Sequence, residues 1–441
     1  MEGTMGDTQR SQTISTKLHQ IAEQASQYPD RIFSSLAHLI DVDLLKEAYQ
    51  KTRKDKAPGV DGITAAQYGQ DLESNLADLH RRLKERRYQA PPVKRGWIEK
   101  EDGSKRPLGI PTFEDKVVQR AVSMVMSAVY EQDFYEFSYG FREGRSPHKA
   151  IKELREQCCR QNIRWIVDAD VSKFFDSLDH GVLREIIKKR INDGGLIRLI
   201  GKWLNAGVME EGSLRRPETG TPQGGVISPL LGNIFLHHVL DEWYIKEIKP
   251  RLKGRSFLIR FADDFIIGCE QESDARRIMA VLSKRFERFA LTIHPVKTEL
   301  VDFSSPENRK KPDSEKHTFD FLGFTHYWGK SRQGNWVIKR KTAAKRVRRS
   351  MKAIWQWCRE QNHHDLPEQH RIISAKLRGH YQYFGIRGNY KMLEVVYEQV
   401  LKSWRHWLGR RTRNGYLTGE VFGEKILKTF PLPTPRIVHS V

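Results

Sequence analysis

Cysteine is scarce in this chain: Cys158, Cys159, Cys269 and Cys358 are the only four in 441 residues, and no two form a C-x-x-C pair. That spacing excludes a zinc site of the usual kind and a disulfide framework, and it fits a reducing cytosol. Long apolar runs are missing too. No stretch long enough to span a bilayer is continuously apolar, so no membrane partner is expected. Residues 1–30 are polar and hold no apolar core ahead of a cleavage site, so a soluble, unprocessed, cytoplasmic protein is expected. Acid is in short supply: 55 Asp and Glu stand against 76 Lys and Arg, a formal charge of +21. This balance points to a partner made of phosphates, with a basic membrane-surface protein as the weaker alternative. Ten Trp and an aromatic share of 10% add side chains on which bases stack.

A chain of this length needs two or three units that each bury apolar surface. The first thirty or so residues, rich in Ser, Thr and Gln, read as a frayed lead-in, after which Leu36, Ile40, Leu44 and Ala48 recur at helical spacing. KAPGVDGIT (56–64) is a broken loop, and residues 65–87 form a charged amphipathic helix ending in RRLKERR. From 88 to about 325 short β-branched or aromatic runs such as WIVDAD and SFLIRF alternate with helical stretches such as 182–204 and 272–290, which predicts an α/β or α+β body. From residue 339 the run KRKTAAKRVRRSMK carries eight basic residues and no acid, and aromatic helical segments follow to about 411. The Pro-rich end (PLPTPR) stops regular structure.

Two adjacent acids interrupt the strand-forming stretch SFLIRFADDFIIGCE (256–270). Asp263 and Asp264 at the tip of a strand–turn–strand can ligate Mg²⁺, which favours carboxylate oxygen plus substrate phosphates; a plain Asp–Asp hairpin turn explains the doublet equally well when it is taken alone. A second acidic strand changes that balance. WIVDADVSKFFDSLDH (165–180) delivers Asp170, with Asp168 on the same face if the run is a strand, and two metals about 4 Å apart need carboxylates from separate segments.

With these acids in place, the chain resembles a group II intron reverse transcriptase, the maturase type carried by bacterial self-splicing introns. The resemblance covers roughly residues 35 to 440. Its motifs run in the family's order: APGVDG (57–62), KRPLGIP (105–111), FYEFSYGFREGRSPHKA (134–150), DADVSKFFDSLDH (168–180), GTPQGGVISPLLGNIFLHHVLD (220–241), RFADDF (260–265), LTIHPVKTEL (291–300) and FDFLGF (319–324). The resemblance implies an α+β right-hand polymerase: a lead-in over 1–35, an N-terminal extension and fingers over 36–164, a palm of antiparallel sheet plus helices over 165–325, and a helical thumb with domain X over 326–441. It implies Asp170, Asp263 and Asp264 as catalytic ligands of two Mg²⁺ ions, with dNTPs as substrates.

The same resemblance assigns the nucleotide to Lys105 and Arg106, whose charge suits a triphosphate, to Phe175 as a gate beneath the sugar, to Gln223 in a glycine-permissive loop, and to Lys297 as a proton donor to pyrophosphate. Ordinary core packing explains Phe175 as well, and a surface lysine explains Lys297. Phe321, Leu322 and Gly323 resemble a primer-gripping hairpin; Arg340, Lys341, Arg346, Arg378 and Tyr381 fall where thumb and domain X meet primer or RNA. Phe261 departs from the family's usual Tyr, keeping the ring and losing the hydroxyl. The implied partners are the intron RNA, an RNA template with a DNA or RNA primer, and target DNA, with nucleoid association during integration. No counterpart of the HNH endonuclease is found through Val441, so target-strand cleavage is not expected. Two rival readings share this core: an RNA-binding splicing cofactor without polymerase activity, and a reverse transcriptase working outside introns.

Overall fold

The computed structural model describes residues 3–99, 103, 105–210, 213–215, 220, 224–309, 317–411, 415 and 417–441. Gln223 and its neighbours Thr221 and Pro222 lie outside the described residues. The central sheet consists of β3 (Trp165–Asp170), β6 (Ser256–Phe261), β7 (Asp264–Cys269) and β8 (Glu299–Asp302), ordered β6-β7-β3-β8 with every neighbour antiparallel. Its strands are rich in Ile, Val and Phe, and both faces are covered. Side chains alternate between faces along a strand. Val167, Ala169, Leu258, Phe265 and Ile267 therefore enter one core, shared with the helices Phe113–Asp133, Ser228–Leu236 and Glu272–Glu287. Ile166, Ile259, Ile266 and Val301 enter another, shared with the helix Pro147–Arg160 and a further sheet.

That further sheet is antiparallel, in the order β11-β10-β9, from β9 (Phe319–Phe321), β10 (Phe324–Lys330) and β11 (Trp336–Thr342). It runs through the boundary expected at residue 325. A mixed sheet, ordered β2-β1-β4-β5, is built from β1 (Val93–Glu99), β2 (Lys105–Ile110), β4 (Val208–Glu210) and β5 (Ser213–Arg215). The helices Ala344–Glu360, Leu366–Phe384 and Tyr390–Gly409 enclose a core of their own around Trp404, Leu377 and Tyr381. Described residues thus form an α+β chain with three hydrophobic cores. Among them no helix is long and apolar enough to cross a membrane.

Two local expectations need correction. The segment read as a frayed lead-in contains a 25-residue helix, Gly3–Gln27. Ile14, Leu18, Ile21 and Ala25 form a stripe at three- and four-residue spacing that packs into the first core; the stripe is thin, and the Ser, Thr and Gln around it mask it in a composition count. The single helix expected from Leu36 to Ala48 is instead a 3₁₀ turn at Ala37–Leu39 followed by a helix over Val42–Lys51. Asp41 divides them, because its side chain accepts the Leu44 N–H and so caps a new helix start.

Candidate active site

β3 ends on Asp170 directly across from Asp264, the first residue of β7. Phe261 also pairs with Asp264, leaving Ala262 and Asp263 as a two-residue hairpin loop. Opposed residues of an antiparallel pair project to one face, so Asp170 and Asp264 share a face with Asp168, two residues back on β3. Ala262 holds φ at 58°, the left-handed start that a tight hairpin of matching twist demands.

The acids feel one another. Part of each side chain in the doublet reaches solvent, yet the surrounding protein raises both. Burial pushes Asp264 well above the ordinary carboxylate range, and the charges of Asp168, Asp263 and Asp170 push the same way, opposed by Arg346. Burial likewise raises Asp263, with Asp170 adding to it and Arg106 and Arg260 opposing. A cluster of hard oxygen donors whose mutual repulsion resists ionisation suits a divalent cation, which relieves that repulsion. Among the described residues no three His, Cys, Asp or Glu side chains already stand together as a ligand set. Asp170 is instead engaged by Lys297, whose Nζ lies 2.7 Å from Oδ2. Lys297 is carried there by a turn anchored on the strand end, where the His294 N–H donates to the Asp170 carbonyl at 2.8 Å.

The other expected nucleotide contacts converge from different elements. Lys105 and Arg106 are exposed on β2, and the charge of Arg106 reaches Asp263. Phe175 is half-buried on the short helix Phe174–Ser177, edge-on to Phe174. Gly220 and Gly224, which flank Gln223 in sequence, each press close to a backbone carbonyl. A Cβ on Gly220 would stand 2.9 Å from the Asp176 carbonyl, and one on Gly224 would stand 2.6 Å from the Gly109 carbonyl of β2, so glycine permits both close approaches.

The expected primer and RNA contacts separate into two groups. Leu322 and Gly323 form the two-residue turn between β9 and β10, both with positive φ. Lys341, Arg346 and Arg378 are exposed. Phe321, Tyr381 and Arg340 are not: they are 1%, 0% and 4% exposed. Phe321 packs in the second core and Tyr381 in the third, where its hydroxyl donates to the Pro433 carbonyl. These two rings therefore brace the surface and have no face to offer a base.

A family profile described as reverse transcriptase (RNA-dependent DNA polymerase) matches residues 98–326, just over half of the chain. The chain belongs to that family. Its relatives include proteins named for group II introns and intron maturases. It is 36% identical over 241 residues to the group II intron-encoded protein LtrA of Lactococcus lactis subsp. cremoris, covering 54% of this chain and 40% of that protein. It is 35% identical over 288 residues to protein YkfC of Escherichia coli K12, covering 58% of this chain and 75% of YkfC. Nuclear intron maturase 1, mitochondrial, of Arabidopsis thaliana matches at 32% over 90 residues, 20% of this chain and 12% of that protein. Reverse transcriptases of this kind work with divalent metal ions, which agrees with the oxygen-rich cluster.

In this reverse transcriptase-family chain, what sequence reasoning missed is the scaffold behind the acidic hairpin. Arg260 is fully buried and grips fully buried Asp241 through Nε at 2.8 Å and Nη2 at 2.6 Å. Its Nη1 donates to Asn233 Oδ1 at 3.0 Å and to the Ala262 carbonyl at 3.1 Å, so it holds the loop that contains Asp263. Asn233 in turn donates to the Gly140 carbonyl at 2.7 Å. Burial alone would raise Asp241; the Arg260 charge and the hydrogen bonds from its guanidinium hold it below the ordinary range. In sequence Arg260 reads as one more basic residue, and only the apolar run around it signalled burial.

Gly140 presses on the same loop: a Cβ there would lie 2.2 Å from the Ala262 nitrogen. Gly140→Ala must push the hairpin aside, and a displacement near 1 Å at a reacting centre costs about 10²-fold. Primer extension on a short RNA template is expected to fall by that order, and an unchanged kcat would show that the hairpin need not be held where it is.

Proposed function

We propose that the chain is an RNA-directed DNA polymerase of a group II intron, with Asp170, Asp263 and Asp264 holding two Mg²⁺ ions beside a primer end. The observation that carries this reading is the register of Asp170 against Asp264 next to the Asp263 loop, which gathers carboxylates from two strands at one sheet end. Bound there, the two ions would activate the primer 3′ hydroxyl and stabilise charge on the triphosphate and the departing pyrophosphate. The central sheet is then the palm, the β1–β2 hairpin part of the fingers, and the three C-terminal helices the thumb and domain X.

In this reading Arg106 and Lys105 draw the triphosphate over the doublet from β2. Gln223 contacts the incoming nucleotide, and Phe175 closes the space beneath the sugar. Lys297 leaves Asp170 as ligands arrive and presents its ammonium to the pyrophosphate, to which it gives a proton. Lys341, Arg346 and Arg378 offer charge to the RNA or primer backbone, and the same basic surface braces the intron RNA for splicing.

The test is DNA synthesis on an RNA template with Mg²⁺, comparing wild type with Asp263→Ala and Asp170→Ala. Losing stabilisation worth several kcal/mol corresponds to a drop of at least about 10³-fold for each variant. Equal synthesis by the variants ends the polymerase reading. The match to an intron maturase supports a second reading, a splicing cofactor; wild type that binds and splices intron RNA without extending a primer would favour it.

A further inference from the structure

Gln119, on the helix Phe113–Asp133, is 3% exposed and uses both ends of its amide. Its Oε1 accepts the Val226 N–H at 2.8 Å and the Ile227 N–H at 3.3 Å. Its Nε2 donates at 2.9 Å to Oδ2 of Asp115, one turn back on the same helix. Asp115 is buried as well, and its Oδ1 accepts from the Tyr88 hydroxyl and, at 2.7 Å, from Trp203 Nε1. These three donors to Asp115 are all neutral.

The polarity of this chain of hydrogen bonds is fixed from both sides. Burial raises the Asp115 carboxyl to about 6 against the pull of its three hydrogen bonds, so at neutral pH it is ionised and only accepts. Gln119 therefore turns its nitrogen to Asp115 and its oxygen away. Backbone N–H groups only donate, and those of Val226 and Ile227 meet that oxygen. Ile227 stands just before the helix Ser228–Leu236, which starts without a side-chain cap. Gln119 bonds the Ile227 N–H from a different helix, as the third helical residue does for its own helix in a capping box.

Two segments that the reading above gives to the nucleotide meet at this junction. β2, with Lys105 and Arg106, runs through Pro111 into the helix that carries Asp115 and Gln119. Val226 follows Gln223 by three residues, and between them Gly224 abuts the Gly109 carbonyl of β2. We propose that Asp115 and Gln119 are positioning residues for the incoming nucleotide: by holding the Val226–Ile227 backbone at the root of β2 they set how tightly a dNTP is bound, without touching it. This rests on the polymerase reading above.

An exchange of hydrogen-bond polarity tests it. Trp203 only donates, so in Asp115→Asn the new amide keeps its oxygen toward Trp203 and turns its nitrogen to Gln119. The Gln119 amide must then rotate and show its own nitrogen to the Val226 and Ile227 N–H groups. Gln119→Met removes the amide at nearly constant volume. Each single variant is expected to raise the dNTP KM about tenfold, the worth of one or two hydrogen bonds. The kcat at saturating dNTP and the affinity for a labelled primer–template should stay within about twofold of wild type. Asp115→Asn combined with Gln119→Glu keeps the total charge and restores the pairing, since the new amide at 115 donates to the new carboxylate at 119, which still accepts from both backbone N–H groups. This exchange variant is expected to bring the dNTP KM back to within about threefold of wild type. Melting midpoints are recorded alongside, because a pair that only braces the fold would lower them and leave KM where it was. Single variants that melt lower yet keep the wild-type KM, or an exchange that restores none of the lost KM, overturn the proposal while the polymerase reading stands. Should Asp115→Asn fail to fold, Gln119→Met and the exchange variant decide the matter on the same two measurements. Wild type that extends no primer overturns the polymerase reading and this proposal with it.

Discussion

Asp264→Asn is expected to abolish RNA-templated synthesis and, without divalent metal, to raise the thermal midpoint of the protein at neutral pH. The two effects share one cause. Asp264 sits across from Asp170 and beside Asp263 and Asp168, and burial with three like charges raises its carboxyl well above the ordinary value. An acid whose folded pKa is raised favours the protonated native state, so ionising it costs stability. That cost is fully present above the folded pKa, shrinks as pH falls through it, and is gone below the unfolded value near 3.9. Asparagine cannot ionise and is free of the cost throughout. The gain in midpoint should therefore be largest at neutral pH and fade on acidification. It should be modest, since the side chain keeps part of its surface in water. Mg²⁺ should reverse the ranking, because a ligand at 100 times its Kd adds about 2.7 kcal/mol to a protein that binds it, and the variant lacks the donor. Melting curves with and without Mg²⁺ over a pH series provide the measurement. A variant no more stable than wild type in EDTA at neutral pH would show that the acids do not strain the fold.

The second large effect lies behind the hairpin. Asp241→Ala leaves the Arg260 guanidinium buried without its carboxylate, and breaking such a pair costs about 3–5 kcal/mol. Denaturant melts should register that loss as a lower midpoint at unchanged slope. The double replacement Asp241→Leu with Arg260→Met removes both charges and should recover most of the stability. It should not recover synthesis, because Arg260 also holds the Ala262 carbonyl and Asn233. A stable double variant with full primer extension would mean that the buried pair has no part in placing Asp263.

Much of the acidic site was legible in the sequence for a physical reason. WIVDAD and SFLIRF are runs of strand formers interrupted by charge, and the strands observed, Trp165–Asp170 and Ser256–Phe261, coincide with them. The doublet's hairpin was readable because two adjacent polar residues between apolar runs have few other uses. Pairwise partnership was not readable. Nothing in the sequence says that Arg260 meets Asp241 nineteen positions away, that Gly140 abuts Ala262, or that Lys297 rests on Asp170. Burial of single side chains outside the central sheet was equally hidden: Tyr381 and Phe321 sit in aromatic stretches that suit RNA, yet the helix and strand turn them inward. The N-terminal helix escaped because a stripe one residue wide is enough when a long partner helix covers it.

The central sheet has a consequence for how this protein tolerates change. Because β3, β6 and β7 supply alternate side chains to two different interiors, each behaves as a party wall, and enlarging a residue on one side crowds a space that the opposite side cannot vacate. Leu258 and Ile259 are neighbours in the chain, yet they answer to separate packings. Variation should accordingly concentrate at the strand ends and loops away from the acidic hairpin, while the middle of the wall accepts substitution only when both interiors adjust together.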